Sequence, residues 1–181
     1  MHATRSKSGW QQYLLVLLVL FACSAFAQAP DRGAQIRAAF VYNFAKFVEW
    51  PTQSFASPTS PLHLCALSNS RQAARLDLIA GRSAQGHPIV LTWVSDVAQV
   101  RDCQMLYLTH DDLLDHPQLL AATLHQPVLT IGEDEAFLAQ GGMVALFVKN
   151  EHVRFSINQS RADASGLKIS ARLLQLARNV R

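Results

Sequence analysis

Six short apolar runs, at residues 62–67, 89–94, 105–109, 128–131, 143–148 and 153–157, are each bounded by turn-forming residues, and their spacing limits how the chain can fold. The stretches between the first four hold helix-compatible segments at 71–79, 96–99 and 113–124, with another around 135–139. Strands separated by helical crossovers run parallel and need helices on both faces of their sheet. The expected fold class is therefore α/β, a single domain with a largely parallel sheet flanked by helices.

The pattern changes near the end. Only residues 149–152 separate the last two runs, too few for a crossover, so they are expected to form a C-terminal antiparallel hairpin with Asn150 in the turn. Arg154, Ser156 and Asn158 alternate with Val153, Phe155 and Ile157, which leaves one face of the last strand wet or paired with something polar. A closing helix carries Leu173, Leu176 and Val180 on one face, joined by Leu174 and Ala177, with Arg172, Arg178 and Arg181 on its polar side.

The clearest helix covers residues 34–48. Ile36, Phe40, Phe44 and Phe47 recur at spacings of three and four, Tyr42 and Val48 widen the stripe, and Pro51 stops the run. Such a stripe covers a sheet; aromatics from Phe40 to Trp50 are equally what a protein interface places at its centre.

Ahead of this lies a leader. Arg5 and Lys7 precede the apolar run 14–22, which closes on Ala25-Phe26-Ala27, the small-x-small pattern of a signal peptidase site. The run is short of the roughly 20 apolar residues that a spanning helix needs. We expect residues 1–27 to be a cleaved signal peptide and 28–181 to be the domain. An uncleaved anchor, or a lipoprotein acylated at Cys23, are the competing readings. Without Arg5 and Lys7, 14 Lys plus Arg face 13 Asp plus Glu, and the arginines are scattered rather than striped, so no electrostatic footprint for nucleic acid is present.

Beyond the leader two cysteines remain, Cys65 and Cys103, each near an end of an apolar run. In an oxidising compartment such a pair is most simply a structural disulfide, and the Cys-x-x-Cys spacing of a redox pair is absent. Catalytic signatures are also lacking. The histidines never form His-x-x-x-His, and no serine stands in Gly-x-Ser-x-Gly. His110, Asp111, Asp112, Asp115 and His116 could be assembled into a metal site but fit a helix start equally well. Residues 81–86 superficially resemble a phosphate loop, yet lack the Lys-Ser or Lys-Thr pair and precede a strand, so they read as a helix terminus and turn. Gly141-Gly142 reads as a tight reversal. Glu133, Asp134 and Glu135 could line a cleft or cap the next helix. No enzyme and no cofactor is expected.

Several separated motifs then agree with one family. Residues 36–51 (IRAAFVYNFAKFVEWP), Leu64-Cys65, Cys103 before an apolar strand, Val128-Leu129-Thr130-Ile131-Gly132, Gly141-Gly142-Met143, residues 154–158 (RFSIN), residues 166–170 (GLKIS) and residues 173–177 (LLQLA) occur in order. Together they resemble the YfiR family of periplasmic proteins.

The resemblance implies an α/β fold, commonly a homodimer, that binds the periplasmic domain of an inner-membrane diguanylate cyclase and restrains cyclic di-GMP synthesis. It further implies an outer-membrane lipoprotein antagonist that sequesters the restrainer. Cys65 and Cys103 match one of two disulfides in the studied representative; the cysteines of the second are missing here, which places redox sensing through that bridge in doubt. Partner contacts are expected toward the C-terminal region, at Arg154, Phe155, Leu167, Ile169 and Leu173. An alternative role is a periplasmic small-molecule sensor, or an accessory protein for a sensor kinase or transport system. Its ligand would sit at the strand ends near Ser68, Asn69, Thr109 and Glu133.

Overall fold

The computed structural model describes residues 32–67, 73–149 and 152–181. The leader, Cys23, Ser68, Asn69 and Asn150 lie outside the described residues. Arg32–Arg181 form a compact unit.

Helix α1 (Arg32–Phe47) opens the domain. It buries Ala34, Ala38, Val41, Phe44 and Ala45, a face at spacings of four, three, three and one. The stripe expected from the aromatics is therefore displaced: Ile36 is 46% exposed, and of its four members only Phe44 is fully buried. The physical cause is size. Alanines let the helix axis approach the sheet closely, so the larger Phe40 and Phe47 are pushed to the flanks and pack against the core from its margin. The chain then enters β1 (Val48–Glu49), which pairs antiparallel with β9 (Lys168–Ile169), an unanticipated two-stranded clip between the two ends of the domain.

The main sheet contains β2 (Leu62–Leu67), β3 (Ser83–Ala84), β4 (His87–Val94), β5 (Met105–Leu108), β6 (Leu129–Gly132), β7 (Val144–Lys149) and β8 (His152–Ile157). Its order is β3-β4-β2-β5-β6-β7-β8. The four central pairings, β4-β2, β2-β5, β5-β6 and β6-β7, are parallel; β3-β4 and the hairpin β7-β8 are antiparallel. The sheet is thus mixed and largely parallel, as its spacing of apolar runs dictates. The chain steps from β2 outward to β4 and then back to β5, so winding reverses beside β2, the arrangement of a doubly wound sheet.

Both faces are dry. Leu64, Ala66, Met105, Tyr107, Leu129, Ile131, Val144 and Phe155 join α1 in one core, here face A. Cys65, Leu67, Leu106, Leu108 and Ala145, from the alternate positions, join a second core on face B. Register aligns the face A row across the sheet: Ala66 beside Tyr107, Tyr107 beside Ile131, Ile131 beside Val144, and Val144 beside Ile157.

Face A is covered by α1, the 3-10 segment Ala73–Ile79, α5 (Gln159–Ala164) and α6 (Ala171–Leu176), which contribute Leu76, Ile79, Ala162 and Leu173 to its core. Face B carries the 3-10 segment Val97–Asp102, then α2 (His110–Asp115), α3 (Gln118–Ala122) and α4 (Ala136–Ala139). The single helix expected over 113–124 is split, because Pro117 cannot donate the amide that a continuous helix needs and instead precedes α3. Helix α5 had no periodic signal in the sequence; at six residues it is set by its cap, the Asn158 Oδ1 accepting from the Arg161 amide. The closing helix ends at Leu176, and Val180 instead bridges Ile157, so the tail lies beside β8.

Two turns explain sequence features that invited other readings. Gln85 and Gly86 both have positive φ, 53° and 87°, the requirement of the two-residue turn that joins β3 to β4. Gln85 Nε2 also donates to the carbonyls of Ala45 and Val48, satisfying acceptors at the end of α1. Gly141, at φ 97°, makes the expected reversal, but Gly142 has another reason: a Cβ there would lie 2.1 Å from the Phe137 ring. Gly132 faces the same ring, at 2.3 Å.

Candidate functional site

A groove of about 280 Å³ opens on face A between α1, β8 and α6. Its floor is aromatic. Phe40 and Phe155 line it with ring centroids 5.8 Å apart, and the fully buried Phe44 backs them at 6.3 and 5.3 Å, its contact with Phe155 edge to face. Leu173 closes one side, and Leu176, 68% exposed, stands on the rim. Two cations flank the opening: Lys46 Nζ lies 5.9 Å and the Arg172 guanidinium carbon 5.7 Å from the centre of the Phe47 ring. No carboxylate belongs to the lining. An aromatic floor, an exposed leucine and a cationic rim suit a protein segment that carries apolar anchors and negative charge.

The residues expected to meet a partner divide into three groups. Phe155 and Leu173 are brought together in this groove, as its buried floor and wall. Leu167 is buried in the core, and Ile169 is half-buried in β9, opposite Val48. Arg154 is exposed, but alternation places it on face B, opposite Phe147, and so away from the groove. Sequence reasoning missed Lys46, Arg172 and Leu176. The signal available was the aromatic run of α1 together with the basic side of the last helix, which only the fold brings together.

The strand ends offer a different picture. Thr109 is spent on a capping box at α2, with its Oγ1 accepting from the Asp112 amide at 3.1 Å and Asp112 Oδ2 accepting from the Thr109 amide at 2.9 Å. Glu133 accepts from the Tyr107 hydroxyl at 2.7 Å and lies 3.9 Å from Arg37. Burial first, and then the neighbouring Glu133 charge, push the Tyr107 hydroxyl far above its ordinary range, so it stays a donor. Asp134 caps α4 through the Phe137 amide and holds His110 at 2.8 Å, and Glu135 holds Arg178 at 3.0 Å. The acidic run therefore serves as cap and ties. Among the described residues no group of three His, Cys, Asp or Glu side chains could hold a metal ion.

A second concavity, about 450 Å³, lies between the segment 50–58 and the β3–β4 turn and was not anticipated. Trp50, Phe55, Leu62, Gln85 and His87 line it. His87 stacks on Phe55 with ring centroids 3.8 Å apart, and its Nδ1 lies 2.7 Å from the Ser60 carbonyl.

Cys65 and Cys103 are bonded on face B, with Cα atoms 5.9 Å apart, and tie the centre of β2 to the approach to β5. Among the described residues no helix is long and apolar enough to cross a membrane.

The strand order and winding define a doubly wound α/β domain, with a groove open on face A. A family model described as YfiR/HmsC-like matches residues 34–178, and the chain belongs to that family. The family is periplasmic and non-catalytic, consistent with a regulatory role. Among solved structures, the chain is similar to a conserved domain protein from Vibrio cholerae O1 biovar El Tor, at 12% identity and a TM-score of 0.54. It is also similar to an ABC domain solved in complex with L-Trp from Streptococcus pneumonia, at 10% identity and a TM-score of 0.51. Each match covers 82% of this chain, which spans only 60% of either structure. At such identities the likeness is one of fold alone.

Proposed function

We propose that this protein is a periplasmic negative regulator that binds the periplasmic domain of an inner-membrane diguanylate cyclase and restrains cyclic di-GMP synthesis. Export follows from the leader, with cleavage after Ala27 leaving residues 28–181 as the working domain. The observation that carries the reading is the family match over residues 34–178, and the groove between α1, β8 and α6 supplies a surface suited to it. Restraint needs no chemistry: the regulator has only to bind the inactive receptor more tightly than the active one, and 100-fold selectivity shifts the balance by about 2.7 kcal/mol. Phe155 and Leu173 shape the groove from beneath, Leu176 and Arg172 contact the receptor, and Arg154 and Ile169 lie on surfaces open to a second contact. An outer-membrane lipoprotein antagonist would act by covering the same groove.

Deleting the gene should raise cellular cyclic di-GMP, with restoration by the wild-type gene but not by a folded Leu176→Asp variant. An unchanged cyclic di-GMP level after deletion refutes the cyclase as target. Restoration by the variant removes the groove from the contact surface.

The 450 Å³ concavity favours a second reading, in which the chain senses a small molecule or serves a sensor kinase or transport system. Co-purification of a kinase or transporter component with the protein, and no effect of deletion on cyclic di-GMP, would establish that role instead.

A further inference from the structure

The 450 Å³ concavity between the segment 50–58 and the β3–β4 turn falls within the roughly 300–1,000 Å³ of ligand pockets, and no Lys, Arg, Asp or Glu lines it. An ion would find no counter-charge there. Three rings line it, those of Trp50, Phe55 and His87, joined by Leu62.

The polar groups of this lining differ in what they have left to offer. The Trp50 indole N–H already donates to the Gln104 carbonyl at 2.9 Å. Both hydrogens of the Gln85 side-chain amide are engaged as well, on the carbonyls of Ala45 and Val48, which leaves Oε1 as the open atom of that group. At His87 the Nδ1 lies 2.7 Å from the Ser60 carbonyl; a carbonyl only accepts, so Nδ1 carries the proton and Nε2 is a bare acceptor. The side-chain donors of these groups are thus taken up within the fold, and two acceptors remain. Because Gln85 is pinned to the end of α1 and His87 is stacked on Phe55, both acceptors are positioned before any ligand arrives. On the other wall stand the hydroxyls of Thr52 and Ser57, groups that donate or accept.

We propose that the concavity is a binding site for an uncharged pyranose sugar, its C–H face laid on the aromatic rings and its hydroxyls donating to Gln85 Oε1 and His87 Nε2. The inference rests on the second reading above, that the concavity holds a small molecule, and is independent of the cyclase. Ring geometry separates a sugar from a flat heterocycle. A heterocycle enters aromatic sites by stacking between rings, but Phe55 and His87 already lie face to face at 3.8 Å and leave no gap between them. Its donors also lie in one plane, whereas a pyranose directs hydroxyls outward all round the ring and so meets the β3–β4 turn and the segment 50–58 at once.

The test uses the full-length gene expressed through an exporting Gram-negative host and protein purified from its periplasm. Residues 28–181 hold two tryptophans, Trp50 and Trp93, so Trp93→Phe leaves Trp50 fluorescence as a reporter within the concavity. Methyl glucoside and N-acetylglucosamine should change that emission with a dissociation constant of about 1 mM, as befits a ligand of one ring. Glucuronate should bind at least roughly 10-fold more weakly, since its carboxylate meets only acceptors and rings. His87→Phe keeps a ring against Phe55 but removes Nε2, and should weaken sugar binding roughly 10-fold with an unchanged circular dichroism spectrum. Thr52→Val, an exposed change that touches no hydrogen bond of the fold, should weaken it about 3-fold and serves if the first variant misfolds. Adenine bound at Trp50 in place of the sugars overturns the sugar class while the small-molecule reading stands. No response to the sugars or to adenine overturns both the class and the concavity as a ligand site. Sugar binding, seen by saturation-transfer NMR, that leaves Trp50 silent and survives His87→Phe lies elsewhere on the protein and overturns this site.

Discussion

Face A and face B of the sheet are both buried, yet they are covered by opposite means. One long helix, held close by alanines, dominates face A, and its displaced aromatics open into a groove. Face B is roofed by short helical segments, none longer than six residues, which caps, a disulfide and a phenylalanine seated on two glycines hold in place. Short helices are not stable by themselves, so their order comes from these local fixings. The contrast teaches a division of labour: the face with the intact helix has apolar surface left over to line a groove, whereas the pieced face uses its side chains to hold itself together.

Four changes would break or sharpen this contrast. The largest effect is expected from Phe44→Ala, which removes a fully buried ring from behind the aromatic floor and should lower unfolding free energy by about 4 kcal/mol in denaturant titrations. Such a loss should also disorder the groove, seen as weaker receptor binding. Next comes the disulfide, with a sequence separation of 38. Replacing Cys65 and Cys103 together by Ala should cost about 3 kcal/mol, with greater hydrogen exchange in residues 97–124 on face B than in α1. Equal loss of protection on both faces would contradict the division. Gly132→Ala, which forces the Phe137 ring aside, should cost about 2 kcal/mol and loosen α4 first.

The smallest effect concerns Tyr107. Its hydroxyl is raised above the ordinary value of 10.0, so the folded state holds that proton more tightly than the unfolded chain. The stabilisation is full below pH 10 and falls above it, by about 1.4 kcal/mol per pH unit for this group. Tyr107→Phe should cost about 1 kcal/mol at neutral pH, through the lost bond to Glu133, and should remove that component of the alkaline decline. An identical decline in the variant would assign it to other groups.

Part of the candidate site was legible in the chain itself. The aromatic run from Phe40 to Trp50 reads as a surface able to meet a partner, and the C-terminal candidates Phe155 and Leu173 share the groove that this run borders. Arg172 and Leu176 escaped because a helix of six residues presents too little periodicity to say which side meets α1. Leu167 belongs to the segment 166–170, and its burial shows that packing accounts for that position.

The sequence by itself determined the parallel sheet, the terminal hairpin, the cysteine pair and the family, because these follow from spacing and residue type along the chain. The tertiary structure alone decided which stripe of α1 is buried, which face Arg154 takes, and that the C-terminal tail lies beside β8. Those outcomes depend on how closely distant elements approach, and close approach is set by side-chain volumes meeting across the fold, which no local pattern contains.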